Sequence, residues 1–84
     1  MYYLYILKNE KDEDLYTGST NDLKRRLAEH NAGKVKSTKS RIPFTLRYYE
    51  VYTCGEDARK REFSLKKDGR ALGQLKRRIS ASLQ

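Results

Sequence analysis

The 84-residue chain has no tryptophan and only one cysteine, one proline and one histidine. A single thiol, Cys54, excludes an internal disulfide and any Cys-rich zinc site, and it suits a reducing compartment. Long hydrophobic runs are missing. The longest, residues 2–7, falls far short of the roughly 20 apolar residues a membrane-spanning helix needs. The chain opens inside that run, with no basic segment ahead of it and no small-residue cleavage site behind. The expectation is therefore no signal peptide, no membrane partner and a cytoplasmic location. Repeats, linkers and low-complexity tracts are absent too, so residues 1–84 are expected to form one domain, long enough to fold alone but only marginally. Acidic residues are lacking from His30 to Tyr49, a stretch that holds Lys34, Lys36, Lys39, Arg41 and Arg47. Four carboxylates, Glu10, Asp12, Glu13 and Asp14, crowd instead into one early turn. The whole chain carries 19 Lys and Arg against 11 Asp and Glu, a net charge of +8. Such a polarised basic surface is the electrostatic footprint of a nucleic-acid binder, set against the plainer reading of a solvated charged face.

What is present reads as alternating short elements. Residues 2–8 place Tyr3, Tyr5 and Leu7 on one face of a strand and Tyr2, Leu4 and Ile6 on the other, as expected in the middle of a sheet. "NEKDED" is a turn, and "LYTG" is a second strand returning beside the first. A helix is predicted to start within "STND" and stop at "NAG", with Gly33 just past its end. A basic loop, "KVKSTKSRIP", follows, and residues 45–53 form a third strand. Thr53 and Glu56 have capping-box spacing, opening a second helix over about 55–67. Asp68-Gly69 breaks it, and Leu72, Leu75, Ile79 and Leu83 mark a third helix over about 70–82. The order ββαβαα is an α+β domain: a small three-stranded antiparallel sheet covered by helices.

Several polar groups lie where apolar ones are expected. On the first helix Leu23, Leu27 and His30 share a face with Arg26 at its edge, and on the second Glu62 falls in the arc of Ala58 and Leu65. Burying such groups unpartnered costs several kcal/mol. Either Arg26 and Glu62 pair as a structural salt bridge, or they face a ligand, and Glu50 on the third strand competes as a partner. Tyr5 and Tyr16, across the hairpin, emerge on one face if the loop has an even residue count.

Together these residues resemble the GIY-YIG endonuclease domain, whose two signature tripeptides lie on adjacent strands. Here they read "LYI" (Leu4-Tyr5-Ile6) and "YTG" (Tyr16-Thr17-Gly18), so Leu4 replaces the first glycine and Thr17 the middle isoleucine. Arg26 fits the family's helical arginine, His30 its His or Tyr one turn later, and Glu62 its metal-binding glutamate. The similarity runs from about Tyr2 to Arg78 and is strongest to short stand-alone bacterial members, related to the nuclease domain found in excinucleases. It implies hydrolysis of nucleic-acid phosphodiesters, DNA before RNA and in a repair or recombination setting, by a monomer using one divalent ion, Mg²⁺ or Mn²⁺, at Glu62. Arg26 would stabilise charge on the phosphate, Tyr5 or Tyr16 would activate or position water, and His30 would relay a proton or hold a phosphate. On this reading the odd residues of the first helix face a catalytic cleft, and Lys34, Lys36, Lys39 and Arg41 hold flanking phosphates. With no second recognition motif, sequence preference would be slight or come from a partner protein. The rival readings are a binding module of the same fold without catalysis, and a protein-interaction domain.

Overall fold

In the computed structural model, which describes residues 1–84, the first strand organises everything else. β1 (Tyr2–Asn9) is central in a three-stranded sheet of order β2-β1-β3, antiparallel to both β2 (Leu15–Thr20) and β3 (Phe44–Tyr52). Its lack of alternation has the expected cause: both faces are covered. Leu4 and Ile6 pack with Leu65, Leu75 and Ile79 beneath α2 (Gly55–Lys67) and α3 (Gly69–Arg78), whereas Tyr5 and Leu7 pack with Phe44 on the side of α1 (Leu23–Asn31). Order and class are thus ββαβαα and α+β, as the patterning implies. No helix is long and apolar enough to cross a membrane.

The helix ends follow local chemistry. Asp22 caps α1 by accepting from the Arg25 amide at 3.0 Å, and Gly33 takes the left-handed φ of 74° that a residue past a helix terminus needs. The capping box expected at Thr53 does not form. Cys54 occupies the cap position with no side-chain bond, one residue too late for the Thr53 hydroxyl to serve. α3 is also shorter than its stripe suggests: it ends at Arg78, and Ser80–Leu83 form a 3₁₀ turn that still brings Leu83 to the core. The third strand begins one residue earlier than expected, and the second runs on to Thr20.

Glu50, the competing carboxylate of the sequence reading, belongs to the scaffold. It lies opposite Leu4, accepts from the Tyr48 and Tyr52 phenols at 2.6 Å each, and takes a bidentate pair from Arg61 at 3.0 and 3.1 Å, tying α2 to β3. Burial pushes its carboxyl up, but the Arg61 guanidinium and the two phenols more than offset this and leave it below its ordinary value of 4.5. Below the ordinary value the unfolded chain binds a proton that the folded chain refuses. This contribution to stability is therefore full above that pH and lost as pH falls through the depressed native value. Glu50→Gln should lower stability at pH 7 by about 1–3 kcal/mol and flatten the acid limb of a pH series of urea melts.

Candidate active site

The β1–β2 register decides which side chains meet. Tyr5 lies opposite Gly18 and Leu7 opposite Tyr16, so both tyrosines share the α1 face, their ring centroids 6.4 Å apart. The Tyr5 ring crosses the β2 backbone directly over Gly18. A Cβ there would stand 2.4 Å from the phenolic oxygen and 2.5 Å from Cζ, so the position admits only glycine while Tyr5 keeps its place. The glycine of "YTG" is thus explained by the tyrosine of "LYI".

α1 lies over this pair and supplies Arg26 and His30. His30 is fully buried, with both ring nitrogens engaged: Nε2 is 2.8 Å from the Tyr5 oxygen and Nδ1 is 2.8 Å from Thr38 Oγ1. It packs edge-on against Tyr16 at 5.0 Å between centroids. The sequence-based expectation that His30 faces a cleft is therefore corrected: it stands behind Tyr5, away from solvent. Burial and the nearby Arg26 charge lower its pKa below 6.5, with Glu29 opposing, so the ring is neutral at physiological pH.

Arg26 and Glu62 do not pair. Arg26 Nη1 contacts Glu29 Oε1 at 3.1 Å, one turn along its own helix, and contact with the Tyr5 phenol helps to hold its pKa up. Glu62 reaches the rim of β2 from α2, where Oε1 accepts from Ser19 Oγ and Oε2 from Lys66 Nζ, both at 2.6 Å. Lys66 Nζ also lies 5.5 Å from the centre of the Tyr16 ring. Because β2 is an edge strand, groups from both sheet faces gather along it. Burial drives the Tyr5 phenol up to about 12, the Arg26 guanidinium opposing and the charges of Tyr16 and Glu62 reinforcing the rise.

The basic loop is built rather than loose. Thr38 and Val35 are buried, and Ser37 Oγ donates to the Tyr16 oxygen at 3.4 Å. Lys34, Lys36 and Lys39 are exposed and belong to no ion pair. Arg41 does not stand with them: it reaches Asp12 at 3.5 Å and Asp14 at 3.6 Å and lies over the Phe44 ring, its charge answered by the acidic turn. Ser19, Ser37, Thr38 and Lys66 escaped the sequence reading. Only Lys66, four residues beyond Glu62 on one helical face, left a readable signal.

The rim is open. The largest concavity, about 660 Å³, lies on the other flank of α1, among Tyr3, Leu23, Leu27, Leu46 and Tyr49, and takes in none of these groups. No three His, Cys, Asp or Glu side chains form a metal-binding cluster. Glu62, one-quarter exposed with a hydroxyl beside it, is instead a single hard-oxygen donor. That fits an ion such as Mg²⁺, which takes one or two protein carboxylates and fills its other positions with water and phosphate oxygen.

Comparison with known proteins places the chain in a family. Residues 1–78 match the GIY-YIG catalytic domain. UPF0213 proteins of Streptococcus pyogenes serotype M5 (strain Manfredo) and serotype M2 (strain MGAS10270) are each 52% identical over 66 residues, which is 77% of this chain and 71% of theirs. The solution NMR structure of a UPF0213 protein from Bacillus halodurans superposes with a TM-score of 0.54 at 38% identity, covering 89% of this chain and 82% of that one. With the match running over residues 1–78, nearly its whole length, the chain belongs to the GIY-YIG catalytic-domain family.

Proposed function

We propose that the protein is a metal-dependent endonuclease that hydrolyses nucleic-acid phosphodiester bonds, DNA in preference to RNA, with little sequence specificity of its own. The observation that carries this reading is the convergence of Tyr16, Arg26 and Glu62, from three separate elements, along the β2 rim, with the buried Tyr5 phenol against Arg26 behind them and three unpaired lysines on the adjoining loop. An open rim suits a polymer better than an enclosed pocket does.

Glu62, with Ser19 Oγ alongside, would hold a divalent ion, Mg²⁺ or Mn²⁺, which when bound polarises the phosphate and steadies the leaving oxygen. Lys66 must then release one carboxylate oxygen, and its ammonium, already near Tyr16, is free to meet a phosphate. Arg26 leans on a partly exposed glutamate and on the Tyr5 phenol, and would turn to the negative charge growing on the phosphorus oxygens. Tyr16, half-buried and touched by Ser37, is the phenol better placed to orient water. Tyr5, with a pKa near 12, stays protonated at neutral pH and serves as a donor. His30 holds Tyr5 and touches no substrate. Lys34, Lys36 and Lys39 would hold flanking phosphates without reading bases.

All the proposed groups come from one chain, consistent with a monomer, while site choice would fall to a partner protein. The exposed thiol of Cys54 suits the cytoplasm. A binding module without catalysis is the second reading. It is favoured by the engagement of both Glu62 oxygens, which leaves that carboxylate neutralised until a cation competes. The third, a protein-interaction domain held by an Arg26–Glu62 pair, loses its support because that pair is not made.

Glu62→Gln should abolish metal-dependent cleavage of labelled DNA while folding and DNA affinity stay nearly unchanged; undiminished cleavage by the folded variant would remove Glu62 from the site. Arg26→Ala should cost less than about 1 kcal/mol of stability in urea melts, the range of an exposed pair. It should nevertheless lose about 10²–10³ in turnover, as expected when a donor aimed at the transition state is deleted. Replacing Lys34, Lys36 and Lys39 by Ala should weaken binding equally across sequences. The salt slope should also flatten by about 0.7 for each phosphate no longer held on single strands and about 0.9 on duplex. An unchanged slope would show that the loop meets no phosphate.

A further inference from the structure

Tyr5, His30 and Thr38 form a buried chain in which proton placement is decided by counting. The three side chains are 1%, 0% and 0% exposed, and two contacts join them: Tyr5 oxygen to Nε2 and Thr38 Oγ1 to Nδ1, each 2.8 Å. A neutral imidazole carries one hydrogen and the two hydroxyls one each, so three hydrogens compete for two contacts. One hydroxyl hydrogen must point elsewhere. Thr38 Oγ1 has no partner but the ring, and its surroundings are closed. The Tyr5 oxygen is equally buried but has polar neighbours beyond the ring: it meets Arg26 beside Gly18, and the partly exposed Tyr16 and Glu62 lie near enough for their charges to act on it. A buried hydroxyl with one possible acceptor donates to it, because the alternative strands a polar hydrogen.

We propose that Thr38 is a positioning residue for Tyr5: its hydroxyl donates to Nδ1 of His30 and so fixes the ring proton on Nε2, aimed at the Tyr5 oxygen. The phenolic hydrogen is then free to donate outward, toward water or a phosphate oxygen at the rim. Thr38 is well placed for this. Its amide donates to the Val35 carbonyl at 3.1 Å and its carbonyl accepts from Arg41 at 2.9 Å, so the loop's own bonds hold the hydroxyl against the ring. The same loop carries Lys34, Lys36 and Lys39, which couples the proposed phosphate-holding segment to the orientation of Tyr5. The tautomer stands on the geometry alone. Its consequence for cleavage rests on the nuclease reading above.

The test is long-range nitrogen–proton NMR of the imidazole, unambiguous because His30 is the only histidine. In the wild-type protein without substrate, the proton should be found on Nε2 with Nδ1 bare; a proton on Nδ1 overturns the proposal. Thr38→Val, which keeps the shape and removes the hydroxyl, should abolish that preference, and Thr38→Ser should restore it. Tyr5→Phe should leave the proton on Nε2, whereas a shift to Nδ1 would show that Tyr5 rather than Thr38 sets the tautomer and would also overturn the proposal. Thr38→Val should further reduce kcat/KM by about tenfold or more, the scale seen when an outer partner that orients a functional histidine is removed. Rates equal to those of Thr38→Ser would contradict the positioning role. A wild-type protein that cleaves nothing would fail the nuclease reading while leaving the NMR result to decide the tautomer.

Discussion

The contact between the Tyr5 ring and the bare backbone of Gly18 is the constraint on which the site depends. It is possible only in the register that sets Tyr5 opposite Gly18, and a one-residue slip would send every side chain of β2 to the other face. In this register the phenolic oxygen comes to rest where a Cβ would otherwise be, and from that point His30 and Arg26 on α1 can both reach it. Tyr16 follows two residues along, on the same face and at the exposed edge. One steric allowance on β2 therefore positions groups that come from β1, β2 and α1.

Electrostatics divides the polar groups into a closed set and an open one. Glu50 and Arg61, with the two phenols, form a saturated network that joins sheet to helix and has no capacity left for a ligand. Arg41 is likewise spent on the acidic turn. Arg26 and Glu62 are different, because each leans on a partly exposed neighbour on its own helix, an arrangement worth little in water and readily exchanged. Arg26, Glu62 and Lys66 border the β2 rim and Lys34, Lys36 and Lys39 stand on the adjoining loop, where a phosphodiester and a cation would supply new partners.

Much of this architecture is legible in the sequence. The two-sided apolar pattern of residues 2–7 reports a central strand, and Tyr5 and Tyr16 share a face once the hairpin loop between them has an even residue count, as it does. Glu62 in an apolar helical arc reports a carboxylate with a special position. Periodicity carries such information because it follows directly from the backbone repeat. The burial of His30 is not legible, since helical phase cannot tell a cleft from a core. Nor is Thr38, a threonine in an irregular loop that becomes a histidine's partner only through tertiary packing. Arg41 misleads for a related reason: its run of basic neighbours implies a common role, but the loop turns it back onto carboxylates about 30 residues away in sequence. The cap of α2 shifts by a single residue, within the reach of local packing to decide.

The central claim is that the β2 rim is a working phosphodiesterase site rather than a binding surface. The most direct measurement offers the purified protein labelled single-stranded, duplex and branched DNA, and RNA, with Mg²⁺, with Mn²⁺ and with EDTA. A working site predicts cleavage of DNA at many sequences with either metal and none with EDTA. Tight, salt-sensitive binding of these substrates with no cleavage under any metal condition would contradict it.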